Sequence, residues 1–376
     1  MKQKVLFVAT VLRGHVLVFH LPYMKWFQEQ GYEAHLCCRN DTPETDVTVP
    51  YCDRFFELPF ERSPLAKENL NVYKQLKAII DRENYALIHC NTPVGGMLGR
   101  LCSRAARKKG TKVVYTAHGF HFFSGAPLKN WLLFYPAERF LSRYTDLLIT
   151  INQEDYRRAQ HFHAKKTALV NGVGVDLSRF DQLTEREQAR AELGLAQDAP
   201  VLITVGEHSV RKNHEVVLRA AQQLPGVHVL FCGVGEKQEE LEQYAREHDL
   251  AQRVHFLGFR RDIPRLLAAS DVFVFPSLQE GLPVSQMEAM AAGLPCVVSD
   301  VRGNADLIQP GEGGYLRKPM DADGMAEDIA LLMGDPALRE QMGRRNREVI
   351  RQYSLEEVLR QMTALYQEQL EGKKHG

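Results

Sequence analysis

The sequence predicts an α/β protein of two doubly wound domains, each with a parallel β-sheet covered by helices. Three observations support this prediction: a length of 376 residues, a repeated alternation of short apolar runs with longer helical patterns, and a break in that alternation near the middle of the chain. One hydrophobic core rarely serves so long a chain. Short apolar strands separated by helices are typical of βαβ units.

The predicted strands form two series, separated by a break between about residues 170 and 195. Most are rich in Val, Ile, Phe and Thr, which favours strands buried on both faces of a sheet. The first series is Val5–Thr10, Ala34–Cys38, Leu87–His89, Val113–Thr116 and Leu147–Ile151. The second series is Val201–Val205, Val227–Cys232, Val254–Leu257, Val272–Pro276 and Cys296–Ser299. Helical patterns lie between strands, as at Pro22–Gln30, Asn71–Glu83 and His214–Gln223.

Asn171 and Gly172 begin the segment that separates the two series, and such punctuation indicates a linker. We therefore expect an N-terminal domain over residues 1–170, a linker over 171–195, a C-terminal domain over 196–352 and a last helical segment over 353–376. Ser354 suits the N-cap of that last helix, and the final four residues are expected to fray.

The composition excludes several classes of protein. A hydrophobic content of 44% and a charged content of 25% are ordinary for a folded soluble domain. The formal net charge of zero gives no indication of a nucleic-acid partner. No apolar run reaches the roughly 20 residues that a membrane-spanning helix needs. The seven cysteines show no CxxC spacing, so we expect reduced thiols in a cytoplasmic protein.

Candidate anion-binding residues follow the first strand of the second series. Val201–Val205 ends at Gly206, and Arg211 and Lys212 precede the next helical pattern. Free N–H groups at a helix start and adjacent basic side chains favour a phosphate, although solvated loop charges explain this motif equally well. A Gly-x-Gly at residues 233–235 lacks the third glycine of a dinucleotide fingerprint, which favours a tight turn there.

Two glutamates, Glu280 and Glu288, stand with seven residues between them in the stretch SLQEGLPVSQMEAMAAG at residues 277–293. Pro283 suits the first turn of a helix that Gly293 would end. Glu280 then lies in the preceding loop and Glu288 on the helix. The backbone N–H groups of Leu282, Val284 and Ser285 would face a phosphate, because Pro283 has no N–H.

The apolar neighbours of Glu288 suggest that its charge needs a partner, and two vicinal hydroxyl groups of a ligand would serve. In the alternative interpretation Glu280 stabilises the helix start electrostatically and Glu288 is a surface residue. The residue pattern leaves both interpretations open.

Residues 275–300, FPSLQEGLPVSQMEAMAAGLPCVVSD, resemble the E-x7-E region of the retaining nucleotide-sugar glycosyltransferases of family four. Gly206 with Lys212 resembles the phosphate-binding loop of that family, and FLGFR at residues 256–260 resembles its nucleobase loop. The resemblance covers nearly the whole chain and is strongest over residues 200–315. It implies the GT-B fold, in which two Rossmann-like domains face each other across a cleft and the last helix crosses back to the N-terminal domain.

The resemblance assigns a role to individual residues. Glu280 would contact hydroxyl groups of the donor sugar, and Glu288 would contact those of the ribose. Phe259 and Arg260 would border the base. The implied set is catalytic Glu280 and His118, with donor binding by Gly14, Gly206, Arg211, Lys212, Phe259, Arg260, Gly281, Leu282, Val284, Ser285 and Glu288.

The phosphate-binding loop departs from the family pattern at one position. Lys212 would hold the diphosphate, but many relatives carry an arginine directly after the loop glycine, where this chain has Glu207. Arg211 is therefore the candidate for the second cation.

In the first series, His118 follows a strand and resembles the family histidine that reaches the transferred sugar, while the segment that contains Gly14 would face the donor or the acceptor. A loop histidine hydrogen-bonded to the backbone is the alternative for His118. His15, His20 and His121 are further candidates.

The stretch from Gly119 to Tyr156 resembles glycosyltransferases of bacterial exopolysaccharide, capsule and lipopolysaccharide synthesis, whose acceptor is commonly a sugar on polyprenyl diphosphate. An aromatic cluster lies here among basic residues, which suits the surface of an anionic membrane or, equally, a core beside a solvated helix end. The cluster comprises Phe120, Phe122, Phe123, Trp131 and Phe134.

The expected activity is retaining transfer of a sugar from a UDP-linked donor to a free or lipid-linked saccharide. The resemblance implies no cofactor and no metal. The cysteines and the basic residues beside aromatics lead us to expect a cytoplasmic protein with peripheral association, through its N-terminal domain, with the inner face of the plasma membrane. A UDP-sugar epimerase of the same architecture and a non-catalytic nucleotide-sugar-binding protein remain the alternatives.

Overall fold

Two all-parallel sheets organise the chain, and a computed structural model describes them over residues 2–42, 44, 47–181 and 186–371. The described residues divide into two units. The first contains the residues up to Val173 and those from Val358 onward, and the second contains Gly174–Glu357. Within the described ranges, no helix combines the length and the hydropathy that crossing a bilayer requires.

The sheet of the first unit has seven strands in the order β3-β2-β1-β4-β5-β6-β7. They are β1 (Lys4–Val11), β2 (Glu33–Arg39), β3 (Arg54–Glu57), β4 (Leu87–Asn91), β5 (Lys112–Ala117), β6 (Leu147–Thr150) and β7 (Lys166–Leu169). Val5 of β1 lies opposite Ala34 on one side and Leu87 on the other. The chain order reverses between β1 and β4, and such switch points are where open α/β sheets bind ligands.

Helices of the first unit connect these strands. They are α1 (Leu17–Phe19), α2 (Leu21–Glu29), α3 (Glu68–Glu83), α4 (Pro93–Cys102), α5 (Arg104–Lys108), α6 (Leu128–Leu141) and α7 (Gln153–Ala159). A π-helix at Leu12–Val16 follows β1, and a 3₁₀ helix at Ser142–Tyr144 follows α6. A π-helix is rare in globular proteins and often marks a functional segment.

The sheet of the second unit has six strands in the order β10-β9-β8-β11-β12-β13. They are β8 (Val201–Val205), β9 (His228–Cys232), β10 (Val254–Phe256), β11 (Val272–Phe275), β12 (Cys296–Ser299) and β13 (Gly314–Arg317). The core strands β8, β11 and β12 are almost entirely buried. The order reverses between β8 and β11, which places the loops after these two strands side by side.

The helices of the second unit begin within the segment predicted as a linker. They are α8 (Arg186–Glu192), α9 (Glu215–Gln222), α10 (Gln238–Glu247), α11 (Ile263–Ala268), α12 (Val284–Ala292), α13 (Asn304–Leu307), α14 (Ala322–Gly334) and α15 (Pro336–Ile350). Short 3₁₀ helices lie at Leu177–Phe180, Val210–Lys212 and Arg351–Tyr353. The segment from Gly174 to residue 195 is thus partly helical where it is described, and it groups with the second unit.

The last helix, α16 (Leu355–Glu371), begins in the second unit and continues in the first from Val358 onward. The Ser354 hydroxyl oxygen accepts a hydrogen bond from the backbone N–H of Glu357 at 3.2 Å, which confirms the predicted cap. Val358, Met362 and Tyr366 are buried in the same core as β1, β2 and β4. The final four residues, for which fraying was predicted, lie outside the described range.

All ten predicted strands are present, with ends within a residue or two of those expected. The three strands that were not predicted, β3, β7 and β13, all lie at sheet edges. Their residues are half-buried or exposed apart from Gly314, so they lack the continuous apolar run of a central strand. The placement of Pro283 in the first turn of a helix is wrong by one residue. Its ψ of 119° is extended, and α12 begins at Val284.

Candidate functional site

The loops after β8 and β11 bring together the predicted cations and the first of the two glutamates. Oε1 of Glu280 accepts hydrogen bonds from Lys212 Nζ at 2.7 Å and from Arg211 Nη1 at 3.0 Å. The Ser277 hydroxyl donates to the same oxygen. Glu280 is only 7% exposed. A buried carboxylate is therefore held by two cations and a hydroxyl group.

Lys212 is buried. This excludes the alternative interpretation of Lys212 as a solvated loop charge. Burial lowers the pKa of Lys212, and Glu280 acts in the opposite direction. The lysine ammonium also lies 4.4 Å from the centroid of the Phe275 ring. Arg211 is more exposed, and its guanidinium additionally donates to the backbone oxygen of Gln279 at 3.1 Å.

The backbone that presents Lys212 is fixed by Asn213. Asn213 adopts a left-handed conformation with φ of 56° and ends the short helix Val210–Lys212. Its side-chain amide donates to the backbone oxygens of Pro276 at 3.0 Å and Pro319 at 2.8 Å. Asparagine tolerates this conformation better than most residues. These bonds tie the loop after β8 to the end of β11.

The predicted tight turn at residues 233–235 packs directly against the predicted phosphate-binding loop. A side-chain carbon on Gly233 would lie 1.9 Å from the backbone oxygen of Gly206, and one on Gly235 would lie 2.4 Å from that of His208. The glycines therefore permit a close approach of two backbones. Gly206 also donates its N–H to the oxygen of Cys232 at 2.9 Å.

The predicted nucleobase loop lies beside the same turn, because the oxygen of Gly258 accepts a hydrogen bond from Gly233 N at 2.9 Å. Phe259 is 70% exposed, which leaves its ring free for stacking. Arg260 forms a bidentate ion pair with Asp262, which fixes the guanidinium.

The N-terminus of α12 carries no side-chain cap. Its first N–H groups, at Val284 and Ser285, lack partners within the helix by geometry, and Leu282 just before it is buried. The loop from Glu280 to Gly281 is held from the other side. Arg302 Nε donates to the backbone oxygen of Glu280 at 2.9 Å, and a side chain at Gly303 would collide with the oxygen of Gly281.

Glu288 is 8% exposed, so it is not a surface residue. Its Oε1 accepts a hydrogen bond from Arg179 Nη1 at 2.7 Å. Burial raises the pKa of Glu288, and Arg179 acts against that shift. The structure thus provides a protein partner where the sequence analysis expected a ligand alone.

The two predicted residues of the first unit lie at the ends of different strands. Gly14 is in the π-helix after β1, and the neighbouring Arg13 N–H donates to Asp41 Oδ1 at 2.6 Å. His118 directly follows β5, and its Nε2 is buried with no hydrogen-bond partner among the described residues. Burial holds the pKa of His118 well below its usual value.

Sequence reasoning missed three residues of the second unit: Ser277, Arg302 and Arg179. Each contacts one of the two glutamates. Arg179 is 109 residues from Glu288 in the chain, and no local pattern relates two such distant residues. Ser277 lies three residues before Glu280, so a hydroxyl next to a candidate carboxylate was the one available signal.

Each half of the chain matches one protein family, and the two matches lie in the parts of the chain that form the two sheets. Residues 185–349 match the family described as Glycosyl transferases group 1, and residues 4–152 match Glycosyl transferase 4-like. A protein of Bacillus subtilis (strain 168), named as glycosyltransferase EpsD, is 40% identical over 374 residues, which are 97% of each chain. The chain belongs to the glycosyltransferases.

A second relative of this glycosyltransferase comes from Escherichia coli. It is named UDP-Gal:alpha-D-GlcNAc-diphosphoundecaprenol alpha-1,3-galactosyltransferase and is 30% identical over 327 residues, which are 82% of each chain. The predictions of an enzyme and of its transferase class are confirmed.

Solved structures agree with the fold of the glycosyltransferase. Sucrose-phosphate synthase of Thermosynechococcus elongatus has a TM-score of 0.79 at 22% identity and covers 98% of this chain and 99% of its own. Anabaena HepE in complex with UDP-glucose has a TM-score of 0.80 at 22% identity and covers 97% and 99%. The predicted GT-B architecture of two Rossmann-like domains is confirmed.

Proposed function

We propose that this glycosyltransferase moves a sugar from a UDP-linked donor to a saccharide on polyprenyl diphosphate, with retention at the anomeric carbon. The observation that carries the proposal is the convergence of Arg211 and Lys212 on Glu280, just before the uncapped start of α12. Two cations and free helix N–H groups suit a diphosphate. The name of the E. coli relative specifies a UDP-linked donor and a diphosphoundecaprenol-linked acceptor, which supports both choices.

The diphosphate can bind without breaking the contacts of Glu280. A lysine ammonium has three protons and a guanidinium five, so Lys212 and Arg211 can each donate to Glu280 and to a phosphate oxygen together. Glu280, held in place by them, accepts hydrogen bonds from the donor sugar. Leu282, Val284 and Ser285 offer backbone N–H groups to the phosphate, with Gly281 allowing the approach.

The remaining donor contacts follow along the same unit. Glu288, fixed through one oxygen by Arg179, accepts from the ribose hydroxyl groups. Phe259 and Arg260 border the base next to the turn that packs on Gly206. Gly14 and His118 belong to the first unit, and their predicted contacts with the donor sugar stay predictions.

The proposed chemistry is transfer on one face of the sugar, in which an oxygen of the departing diphosphate accepts the proton of the acceptor hydroxyl. The protein positions the reactants and stabilises the negative charge that develops on the diphosphate. The separate partners of the two glutamates support binding roles for them. A retaining hydrolase instead needs two free carboxyl groups about 5 Å apart.

We expect no metal at the diphosphate, because Lys212 and Arg211 supply the positive charge there. Turnover should therefore persist in EDTA. A loss of activity that added Mg²⁺ restores would contradict this expectation.

The outward face of α6 is the surface that we propose for contact with a membrane. It takes the place of the aromatic cluster that the sequence suggested for this role. Phe120, Phe122 and Phe123 are buried, and Trp131 and Phe134 pack against the core, so the interpretation of these aromatics as a membrane surface is wrong. The large apolar residues of α6 that are exposed are instead Leu128, Leu132, Leu133 and Phe140. Two exposed basic residues, Lys129 and Arg139, lie on the same helix, and the exposed Arg143 follows it closely. Three further basic residues of the first unit are exposed: Arg104, Lys108 and Lys109.

Apolar side chains beside lysines and arginines suit the surface of an anionic bilayer. We propose that the enzyme acts from the cytoplasmic side, docked peripherally on the leaflet that contains the polyprenyl diphosphate.

The decisive experiment measures UDP release from a UDP-sugar with and without the polyprenyl-diphosphate saccharide. Release that requires the acceptor supports transfer. An isomerised donor without release would identify the epimerase, and binding without either product would identify the non-catalytic protein. The anomeric configuration of the product, measured by NMR, tests retention. Glu280→Gln protein serves as the control for a contaminating activity.

A further inference from the structure

Three histidines of the first unit lie close together, with one ring nitrogen of each near a ring nitrogen of the other two. His15 lies in the π-helix after β1, His20 lies just before α2, and His118 follows β5. One ligand atom from each lies within 4.8 Å of the other two. The ring of His15 has its centroid 4.7 Å from that of His118 and 4.8 Å from that of His20.

These histidines have buried nitrogens that no described residue satisfies. Nε2 of His15, Nε2 of His118 and both ring nitrogens of His20 have no hydrogen-bond partner, and His20 is 2% exposed. Leaving a buried polar group unpaired is unfavourable, because the group loses its hydrogen bonds to water without replacing them. Native proteins rarely retain several such groups together without an occupant.

A neighbouring histidine shows what a purely structural role looks like in the same core. His89 shares a hydrogen bond with Thr116 Oγ1 through Nε2 and with the Tyr366 hydroxyl through Nδ1, both at 2.8 Å. Both of its ring nitrogens are therefore satisfied. The contrast separates His15, His20 and His118 from His89.

Imidazole rings can offer a nitrogen to a cation. A neutral imidazole has one protonated nitrogen and one nitrogen with a free lone pair, and the lone pair is the metal ligand.

We propose that His15, His20 and His118 form a binding site for one divalent transition-metal cation of the zinc class. Imidazole nitrogen binds Zn²⁺, Cu²⁺, Ni²⁺ and Co²⁺ well, whereas Mg²⁺ and Ca²⁺ prefer oxygen. A metal–nitrogen distance of about 2.0–2.1 Å requires only a modest contraction of the cluster. Three protein ligands leave a fourth position of a tetrahedral site for water.

One consequence rests on the proposed function, in which His118 contacts the donor sugar. A nitrogen lone pair that binds a cation cannot accept a hydrogen bond from a hydroxyl group. The cation and the donor sugar would therefore compete for His118, and free Zn²⁺ would inhibit transfer.

The test is calorimetric titration of Zn²⁺ into full-length protein stripped of metal with EDTA. We expect one Zn²⁺ per chain. His15→Asn and His20→Phe should each weaken binding by more than about 100-fold, beyond the 10–100-fold typical of losing an outer-shell partner. The control is His161→Ala combined with His163→Ala, since both residues are exposed and outside the cluster. That variant should bind Zn²⁺ as the unaltered protein does.

Zn²⁺ affinity unchanged in His15→Asn, or lost in the His161/His163 variant, would show an adventitious surface ion only and overturn the site. If His20→Phe does not fold, a rise in the unfolding temperature with Zn²⁺ that His15→Asn abolishes still supports the site, and no such rise overturns it. Tight binding by the cluster without inhibition of transfer would instead contradict the sugar contact of His118.

Discussion

Lys212 Nζ lies 2.7 Å from Glu280 Oε1, and both side chains are buried. This pair joins the loop after β8 to the loop after β11 at the switch point of the second sheet. Removing Glu280 leaves the buried Lys212 without its counter-ion, whereas removing Lys212 leaves Glu280 with Arg211 as its remaining cation. Substitutions of Glu280 and Lys212 should therefore differ in their effect on the affinity for UDP.

Glu280→Gln should lower kcat far more than it weakens the binding of plain UDP. The amide preserves the shape, and Lys212, freed from its counter-ion, can donate fully to the diphosphate. UDP affinity by calorimetry should be unchanged or increased, while kcat falls by about 100-fold, as for loss of one transition-state contact. Glu288→Gln is the matched control and should weaken UDP instead. A collapse of UDP affinity in Glu280→Gln alone would move Glu280 to the nucleotide subsite.

Lys212→Ala should weaken UDP-sugar binding by about 1.5–3 kcal/mol, the range for a hydrogen bond to a charged group. The affinity is measured by calorimetry, with thermal unfolding to confirm that the second unit remains folded. Arg246→Ala removes an exposed charge of α10 and should have no effect. Equal donor affinity in the two variants would exclude Lys212 from the diphosphate subsite.

The buried histidines should make the first unit sensitive to acid. Burial lowers the pKa of His89 to about 3, against about 6.5 in an unfolded chain. Between these values the unfolded state binds more protons, so the free energy of unfolding falls as the pH falls, by up to about 1.4 kcal/mol per pH unit for each such histidine. Above pH 6.5 and below pH 3 His89 makes no contribution to this slope.

Tryptophan fluorescence can follow this effect, because both tryptophans, Trp26 and Trp131, lie in the first unit. Urea unfolding at pH 7, 6 and 5 should show the decline. His161→Ala, which removes an exposed histidine, should leave the slope unchanged. An unfolding free energy that is constant from pH 7 to 5 would contradict the prediction.

Leu128→Glu with Leu132→Glu should reduce pelleting with anionic vesicles severalfold, because both side chains are 72% exposed on α6. Leu331→Glu, which replaces a 51% exposed leucine of the second unit, is the control. Equal pelleting of the two proteins would remove α6 from the membrane proposal.

Gly233→Ala should destabilise the second unit and weaken UDP binding, because the new carbon would lie 1.9 Å from the oxygen of Gly206. Gly334→Ala at the end of α14 meets no atom within 4 Å and should be neutral or stabilising by up to about 1 kcal/mol. Thermal unfolding compares the two. Similar unfolding temperatures would show that the loop relaxes without consequence.

The sequence revealed the central strands because burial on both faces requires apolar residues at every position. It did not reveal Arg54–Glu57, a strand at a sheet edge that begins and ends with a charge. Glu280, Lys212 and Arg211 could be predicted as one site because strand-end loops at a switch point lie together. The Arg179 partner of Glu288 could not, since tertiary packing alone joins residues 109 positions apart.

The path of α16 has a consequence for the order of folding during synthesis. Domains usually fold in the order in which the ribosome produces them. Here Val358, Met362 and Tyr366 complete the core of β1, β2 and β4, yet they are translated after Gly174–Glu357. The second unit can therefore complete its fold first. The first unit, although it is translated earlier, needs the last helix to complete its core.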